Sequence, residues 1–486
     1  MLRQALDAVT VPPRRRVHNG LVNEIICHRV DHDSVEEYLL RWAAPAGAPT
    51  ATPLSWHPVN ELSSCIEKLQ KYLESLSTGS SETRPRVHTG KNDRRLNQAQ
   101  SPISNVKVYN GELKELDGMT VVVPSSSPNI TRVDIRQIVT PSMLENAQHA
   151  RTDTAERAVR QEVLSRLERI PGPKVGLINE VDNSSPPLSF TFIDKNILGD
   201  GVHAADEDTV TGCTKCRAHM GQGIGCEYSK LCDCLEYAAV NDTERMLPEE
   251  RARWERIKNT GEGDTTGLPK KFPYYSSGPR AGCLVPFYLE RRTVIYECNP
   301  KCKCGPTCKT RVVQHGRKVP LEIFKTPDGR GWGIRSKTQL RIGQFVDTYR
   351  GEIITDAEAS RRESLAHGAK DSYLYSLDKF AETCGFGQEE LYVIDGQFHG
   401  GPTRFLNHSC DPNCRQYVVS YNKHDPKVYE IAFFATRDIA SGEELTFDYL
   451  DKEEEEDEEM DEEVASGKTR IKCRCGTKKC RRYLWL

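Results

Sequence analysis

The chain has 486 residues, of which 37% are hydrophobic and 28% are charged, and it combines 18 cysteines with a formal net charge of only −3. At about 100–200 residues per domain, this length predicts two to four domains. The apolar runs are too short for a membrane-spanning helix, and the N-terminal MLRQALDAVTVPPRRR lacks the apolar core of a signal peptide. We therefore expect neither a membrane protein nor a secreted one, and we expect the cysteines to bind metal rather than to form disulfide bonds.

Residues 20–75 predict a small α+β domain. Strand-like runs extend from Val22 to Val30 and from Tyr38 to Trp42, and the segment ends in an amphipathic helix, CIEKLQKYLESL. The preceding residues, 1–19, are expected to form a disordered tail.

A polar stretch and a helical region follow this domain. Residues 76–141 are interrupted by Ser, Gly and Pro and are predicted to be a linker. Within 142–188, apolar residues recur at helical spacing, which predicts one long helix from Ser142 to Ile170 that Pro171 ends.

From Phe190 onward, short strand-like runs alternate with Gly, Asn and Asp, so the C-terminal half is expected to be mainly β with irregular connections. The runs are TVIYEC, QFVDTYRGEII, LYVIDG, VYEIAFFAT and LTFDY. One segment differs, because DKEEEEDEEMDEE at 451–463 carries a net charge of −10, against −3 for the whole chain, and leaves +7 for the rest. Residues 451–469 are therefore predicted to form a solvated acidic loop.

Nine cysteines form two dense clusters ahead of the strand-rich region. They are Cys213, Cys216, Cys226, Cys232, Cys234, Cys298, Cys302, Cys304 and Cys308. Three tetrahedral zinc ions need twelve Zn–S bonds, which six terminal and three bridging thiolates supply, so a three-zinc cluster uses every cysteine. The alternative is two independent four-cysteine sites and one spare thiol. Either site is closed to a further ligand, which indicates a structural role.

A third group of cysteines, CRCGTKKC, lies near the C-terminus. Cys473, Cys475 and Cys480 supply three ligands of a fourth zinc site, and Cys410 is the predicted fourth ligand, with Cys414 as its competitor. The remaining cysteines have no evident partner in the sequence: Cys27, Cys65, Cys283 and Cys384.

Four motifs follow one another in the strand-rich region. They are DGRGWG (Asp328 to Gly333), YRGE (Tyr349 to Glu352), RFLNHSCDPNC (Arg404 to Cys414) and ELTFDY (Glu444 to Tyr449). In this order, with nine cysteines before them and CxCxxxxC after them, they resemble the SET-domain lysine methyltransferases of the heterochromatin class, which methylate lysine 9 of histone H3. The resemblance extends from about Ser189 to Leu486 and is closest to the fungal members.

The resemblance implies the fold, the cofactor and its site. It implies a mainly β SET fold over 319–450, stapled by zinc in a pre-SET segment over 189–318 and a post-SET segment over 470–486, with S-adenosylmethionine as the methyl donor. Trp485 is expected to cover the cofactor. The implied cofactor-binding residues are Arg330, Gly331, Trp332, Tyr373, Arg404, Asn407, His408, Tyr449 and Trp485.

The implied chemistry requires a neutral lysine amine, whereas the pKa of a free lysine is about 10.4. Desolvation in an aromatic channel beside a sulfonium favours the neutral form. By resemblance, Tyr449 orients the amine, Tyr373 is the second channel tyrosine, and His408 belongs to the catalytic group. Phe447 stands where the family carries Phe or Tyr, and the absence of a hydroxyl predicts di- and trimethylation.

Asp395, in LYVIDGQ, begins a loop that lines the peptide groove in the family. A carboxylate there suits a basic histone tail. The alternative is a turn aspartate that caps its own backbone.

Residues 20–75 resemble a chromodomain through VNEIICHRV, EEYLLRW and SWHPVNEL. Such domains hold methyllysine in an aromatic cage by cation–π attraction. Trp42 matches one wall, but Leu21 stands where the first aromatic is expected and His57 replaces an acidic residue. Methyllysine binding, a different ligand and a purely structural fold are therefore all open.

The resemblance places the protein in the nucleus, in heterochromatin, with the histone H3 tail or nucleosome as substrate and heterochromatin proteins as partners. A further hypothesis is that Lys468 or Lys472, beside the acidic loop, occupies the lysine channel and restrains activity. Two alternatives are a methyltransferase with mainly non-histone targets and a non-catalytic chromatin adaptor. Nucleic-acid binding by the basic linker is left open.

Overall fold

The structure is a computed structural model that describes part of the chain. The described residues are 17, 21–43, 54–77, 111–116, 119–124, 139–217, 226, 230, 232–238, 240–365, 373–450 and 471–485. The predicted acidic loop lies outside them, as does the predicted N-terminal tail apart from Val17. Among the described helices, none has the length and apolar character needed to cross a membrane. These helices are α1 (Ile66–Ser77), α2 (Pro141–His149), α3 (Asp153–Glu168), α4 (Asp233–Glu236), α5 (Pro248–Thr260), α6 (Pro286–Arg291), α7 (Asp356–Leu365) and α8 (Ala381–Cys384).

The chain divides into two compact units. The first comprises Met1–Val163 and Asn183–Ser189, and the second comprises Leu164–Asp182 and Phe190–Leu486.

The first unit contains a three-stranded antiparallel sheet. Its strands are β1 (Val22–Val30), β2 (Glu36–Trp42) and β3 (Leu54–Pro58), in the order β1-β2-β3, and α1 follows them. Cys27 of β1 and Leu39 of β2 are almost fully buried and pack with Ala147 of α2. The predicted strands and terminal helix are present.

The long helix that we predicted from Ser142 to Ile170 is wrong in one respect, because the structure has two helices, α2 and α3. Ala150 is extended, with φ −72° and ψ 145°, and its carbonyl oxygen faces His28 Nε2 at 3.2 Å. The Glu36 carboxylate accepts hydrogen bonds from the backbone N–H groups of Thr154 and Ala155 and so caps the start of α3. Tertiary contacts thus divide the helix without a Gly or Pro.

The predicted linker over 76–141 also needs a correction. It contains a β-hairpin of β4 (Gly111–Leu116) and β5 (Met119–Pro124), which pair antiparallel. The run of β-branched residues after Met119 accounts for the strand.

The second unit is mainly β, as predicted. Its largest sheets have the strand orders β12-β19-β18-β9, β14-β15-β13-β8 and β11-β10-β6. Its strands are β6 (Val175–Ile178), β7 (Thr191–Phe192), β8 (Ile197–Leu198), β9 (Ile295–Tyr296), β10 (Leu321–Lys325), β11 (Trp332–Ser336), β12 (Phe345–Tyr349), β13 (Glu352–Thr355), β14 (Leu374–Ser376), β15 (Tyr392–Asp395), β16 (His399–Gly400), β17 (Asn407–His408), β18 (Cys414–Ser420), β19 (Glu430–Ala435), β20 (Thr446–Phe447), β21 (Ile471–Lys472) and β22 (Tyr483–Trp485).

One short strand pairing positions the motif residues. Strand β17 pairs parallel with β20, so that Asn407 lies opposite Thr446 and His408 lies opposite Phe447. The central strand β19 is buried along most of its length and supports this pair from below through Phe433, whose ring centroid is 4.9 Å from that of Phe447. The short strands thus rest on a rigid apolar core.

Candidate active site

Six rings form a continuous run through the motif region. Consecutive ring centroids are 4.8 to 6.5 Å apart. In spatial order the rings belong to Tyr375, Tyr349, Phe433, Phe447, Tyr449 and His408. Tyr349, Phe433 and His408 are buried, whereas Tyr375, Phe447 and Tyr449 are partly exposed, so the buried half of the run forms an apolar wall. Such a wall disfavours a charged amine beside it.

Tyr449 is held at two points. Its hydroxyl donates a hydrogen bond to the Leu406 carbonyl oxygen at 2.8 Å, and its backbone N–H donates to His408 Nδ1 at 3.2 Å. A phenolic hydroxyl that donates one hydrogen bond can still accept another through its oxygen.

His408 is a positioning group in this arrangement. Because Nδ1 accepts from Tyr449, the proton of the neutral ring lies on Nε2, which is 3.2 Å from Cys410 Sγ. Burial lowers the pKa of His408 to about 4, against the opposing effect of the Asp448 carboxylate. Both ring nitrogens are thus engaged, which does not suit a general base.

The turn between β10 and β11 is the predicted cofactor loop. Gly331 has φ +85°, and among the described residues no atom beyond its two chain neighbours lies within 4 Å of where a Cβ would stand, so this side of the turn has room for a ligand. Asn407 Nδ2 donates to the Trp332 carbonyl oxygen at 3.3 Å and ties β17 to this turn. An open glycine turn with a left-handed residue fits a small-molecule ligand that approaches the backbone.

Glu444 is a site residue to which the sequence assigned no role. Its carboxylate accepts two hydrogen bonds from Arg330, at 2.7 and 3.1 Å, and one from Asn407 Nδ2 at 2.8 Å. A Cβ on Gly333 would lie only 2.8 Å from Glu444 Oε1, so the close approach requires glycine there. Glu444 therefore joins the cofactor turn to β17. Its position in ELTFDY was visible in the sequence, but its partners were not.

Arg404 and Tyr373 lie together. The guanidinium carbon of Arg404 is 4.1 Å from the Tyr373 ring centroid and 4.6 Å from that of Phe190, a cation–π arrangement. Arg404 also donates to the carbonyl oxygens of Gly396 and Gln397. The hydroxyl of Tyr349 donates to the Tyr373 carbonyl oxygen at 2.6 Å, which fixes the backbone at the edge of the ring run.

Two predicted site residues need comment: Asp395 has a different role from the predicted one, and the side chain of Trp485 lies outside the described structure. Asp395 is 3% exposed, and its carboxylate binds Arg362 at 2.7 Å and accepts from the Gln397 N–H at 2.8 Å. Its side chain therefore caps a turn and pairs with the partly exposed Arg362, instead of lining a groove as we predicted. For Trp485 the structure describes the backbone, in β22, and its cover over the cofactor stays a prediction.

The nine clustered cysteines converge in one buried core. Eight of their sulfurs form three overlapping groups of four, in each of which the atoms lie within 4.8 Å of one another. The groups are Cys213, Cys226, Cys232 and Cys298; Cys213, Cys234, Cys298 and Cys302; and Cys226, Cys298, Cys304 and Cys308. The ninth, Cys216, is fully buried in the same cluster and interacts with the thiols of Cys213, Cys226 and Cys232. Since all three groups share Cys298, they do not divide into independent sites.

The sulfur spacing fits a metal. Neighbouring sulfurs lie 3.5 to 3.9 Å apart, for example 3.5 Å between Cys213 and Cys298 and 3.9 Å between Cys226 and Cys298. A tetrahedron with Zn–S bonds of about 2.3 Å has edges of about 3.8 Å, whereas a disulfide is about 2.05 Å long. The cluster is therefore able to bind zinc.

A fourth group of four sulfurs joins the C-terminal cysteines to the motif region. Cys410, Cys473, Cys475 and Cys480 have their sulfurs within 4.8 Å of one another. The competitor, Cys414, is fully buried in β18 outside this group, and burial raises its thiol pKa to about 12. The four cysteines with no predicted partner lie outside all of these groups.

Trp42, the predicted wall of a methyllysine cage, is buried in the described structure. Its ring is 2% exposed, and its Nε1–H donates to Ser55 Oγ at 2.7 Å. Ser55 contacts His57 Nε2 at 2.7 Å, and His57 Nδ1 contacts Glu61 at 2.8 Å. The tryptophan is thus committed to the interior of the sheet, where a ligand does not reach its face.

Comparison with known proteins agrees with this geometry. Residues 331–450 match the SET domain and residues 168–311 match the Pre-SET motif. The histone-lysine N-methyltransferase, H3 lysine-9 specific KMT1 of Fusarium mangiferae is 40% identical over 319 residues, covering 64% of this chain and 88% of the relative. The H3 lysine-9 specific enzyme dim-5 of Neurospora crassa is 39% identical over 317 residues, with the same shares of 64% and 88%.

A third relative spans more of the chain. The H3 lysine-9 specific histone-lysine N-methyltransferase of Schizosaccharomyces pombe is 33% identical over 383 residues, covering 77% of this chain and 68% of the relative. The predicted SET fold and its pre-SET segment are confirmed by these matches. The chain belongs to the SET-domain family of histone-lysine N-methyltransferases.

Proposed function

We propose that this protein methylates lysine 9 of histone H3, using S-adenosylmethionine and producing di- and trimethyllysine, in nuclear heterochromatin. The observation that carries the proposal is the run of six rings that ends at Tyr449 and His408, next to the turn at Gly331. The three relatives are all named as specific for lysine 9 of histone H3. Histone methylation requires access to chromatin, which supports a nuclear location.

The proposed roles follow from the contacts. S-adenosylmethionine supplies the methyl group as a sulfonium. The aromatic wall favours the neutral lysine amine by desolvation, and the Tyr449 oxygen, already donating to Leu406, accepts a hydrogen bond from that amine. Arg330, Gly331 and Trp332 would hold the donor on one side, with Asn407 and Arg404 beside them. The rest of the rate enhancement is positioning.

We propose a three-zinc cluster for the nine cysteines and one zinc for the C-terminal group. We assign Cys216, which interacts with the other three cysteines of the first sulfur group, to that group in place of Cys298. Each pair of groups then shares one sulfur. Cys213, Cys226 and Cys298 are then the bridging thiolates, and the other six are terminal. This satisfies twelve Zn–S bonds with nine cysteines.

The test is methyl transfer to intact histone H3 and to H3 in which lysine 9 is replaced by arginine, followed by mass spectrometry. We expect di- and trimethylation at lysine 9 of intact H3 and no product on the substituted protein. The variant Tyr449→Phe, which removes only the hydroxyl, is the inactive control. Equal labelling of both substrates would show that lysine 9 is not the preferred site, and would favour other targets, including non-histone proteins. If the zinc-loaded enzyme transfers no methyl group, the alternative of a non-catalytic chromatin adaptor is favoured.

A further inference from the structure

The C-terminal segment has an unusual charge. Between Ile471 and Trp485 the sequence holds six cations and no carboxylate. Five of these side chains are exposed, and we call them the C-terminal basic face: Lys472, Arg474, Lys478, Lys479 and Arg482. Four thiolates around one zinc ion carry a net charge of −2, so the face remains positive when metal is bound.

The basic face is held on a firm scaffold. Strand β21 pairs with β22, with Lys472 opposite Tyr483, and the Cys473 N–H donates to the Arg482 carbonyl oxygen at 2.8 Å. Four sulfurs hold the remaining chain together. The cations are therefore gathered in a small area and lose little conformational freedom on binding, unlike cations on a disordered tail.

The basic face is also tied to the catalytic region. Arg474 Nη1 donates to the Gly329 carbonyl oxygen at 3.3 Å, and Arg481 binds the Asp448 carboxylate at 2.5 Å. A partner bound to this face is thus next to the cofactor turn.

The positive charge of the C-terminal basic face favours an anionic partner. A histone tail is itself basic, so like-charge repulsion disfavours contact between the tail and this face. A nucleosome presents the tail beside DNA, whose phosphates carry one negative charge per about 1.7 Å of helix axis. We propose that the C-terminal basic face binds the DNA phosphates of the nucleosome whose histone tail is being methylated. This inference rests on the proposed histone substrate.

Binding of this kind is non-specific in sequence and depends on salt. Each neutralised phosphate contributes about −0.9 to the slope of log K against log salt, so five contacts give a slope of about −4.5. Side-chain contacts to bases are not required.

The test is the triple variant Lys478→Glu, Lys479→Glu and Arg482→Glu in the full chain. These side chains are exposed, and Lys479 pairs with the exposed Asp411 at 3.8 Å. The matched control reverses three exposed cations of α5, Arg253, Arg256 and Lys258. Both variants are checked for zinc content and thermal unfolding before use.

Two readouts separate this inference from the proposed function. Affinity for a short DNA duplex, measured by fluorescence anisotropy at several salt concentrations, needs no catalysis, and we expect a loss of roughly 10- to 100-fold with a slope shallower by about 3. The rate constant kcat/KM on nucleosomes should fall about tenfold, while that on an H3 peptide stays within about twofold. The control should behave as the wild type in both assays.

Two results would overturn the proposal. One is unchanged DNA affinity and salt slope in the triple variant. The other is a rise in peptide methylation without loss of DNA binding, which would identify the acidic run at 451–463 of the same chain as the occupant of this face.

Discussion

His408 Nε2 lies 3.2 Å from Cys410 Sγ, so one of the four C-terminal sulfurs touches the ring that also holds Tyr449. The same imidazole accepts the Tyr449 N–H through Nδ1 at 3.2 Å. The His408 ring thus contacts both Cys410, a proposed zinc ligand, and Tyr449. Through this contact, zinc bound at the four sulfurs is expected to fix the position of Tyr449.

We therefore expect His408→Leu to lower kcat by about 100-fold with a smaller change in KM for the H3 peptide, because Tyr449 loses its backbone anchor. All four sulfurs remain, so zinc content measured by mass spectrometry should stay at the wild-type value. His424→Leu is the matched control, since the ring of this exposed histidine contacts Thr211 and Tyr237, neither of which belongs to the ring run. An unchanged kcat in His408→Leu would show that His408 does not position Tyr449.

Glu444→Gln tests the link between the cofactor turn and β17. The substitution keeps the shape but removes the charge that holds Arg330 by two hydrogen bonds. We expect KM for S-adenosylmethionine to rise about tenfold, since a charged hydrogen bond contributes about 1.5–3 kcal/mol. The neighbouring Glu443→Gln is the control, because Glu443 binds Arg437 and Asn413 instead. Equal effects of the two variants would contradict the assignment.

Local patterns predicted the motif residues well, because strand alternation and cysteine spacing are properties of short segments. The sequence predicted that Cys410 joins Cys473, Cys475 and Cys480, the first of which is 63 residues away, because a closed zinc site needs a fourth ligand. Glu444 could not, because its partners Arg330 and Asn407 are 114 and 37 residues distant and no stoichiometry requires them.

Long-range contacts also explain the division of the predicted helix and the burial of Trp42. The break before α3 depends on Glu36, which is 118 residues from Thr154 in the sequence. The match of Trp42 to a cage wall identified the residue type but not its burial, which the pairing of β2 with β3 determines. Motif identity and side-chain exposure are separate properties.

Replacing one cysteine distinguishes a shared zinc cluster from separate sites. Cys298 is one of the three bridging thiolates of the proposed cluster, whereas Cys308 is a terminal ligand of one zinc ion. We expect Cys298→Ala to lose all three cluster zinc ions, and Cys308→Ala to lose at most one. Zinc per chain, measured by mass spectrometry on purified protein, provides the count. Loss of a single zinc ion from Cys298→Ala would favour independent sites.

Chelation extends the same argument to activity. Removing zinc leaves several thiolates crowded in a buried core, where their mutual repulsion and desolvation are unfavourable. We expect circular dichroism and methyl transfer to be lost together, because the metal supports the fold and takes no part in the reaction. Activity that disappears while the spectrum is unchanged would point to a catalytic metal.

Trp42→Ala is expected to destabilise the N-terminal unit by about 3–5 kcal/mol, as for other buried aromatic truncations. The burial of the ring also predicts that the full chain binds trimethylated and unmethylated H3 peptides equally at this unit, measured by calorimetry. The active-site variant Tyr449→Phe is used in both titrations to prevent turnover. A clear preference for the trimethylated peptide that Trp42→Phe abolishes without unfolding would restore the cage.

Phe447→Tyr tests product specificity. The Phe447 ring lies between Phe433, at 4.9 Å, and Tyr449, at 4.8 Å between centroids, so an added hydroxyl enters the space beside the amine. That hydroxyl can hold a water molecule or the amine, which restricts the rotation that a second and third methyl transfer require. We expect the products to shift from trimethyl towards monomethyl lysine, read by mass spectrometry.

The control for Phe447→Tyr is Phe386→Tyr, which adds the same hydroxyl to a ring that contacts Lys427 and is not part of the ring run. Its product distribution should match the wild type. Because the first transfer needs no rotation of a methylated amine, the rate of monomethylation by Phe447→Tyr should remain close to wild type. An unchanged ratio of mono-, di- and trimethyl product would show that the volume beside Tyr449 is not limiting, and that the degree of methylation is set by product release.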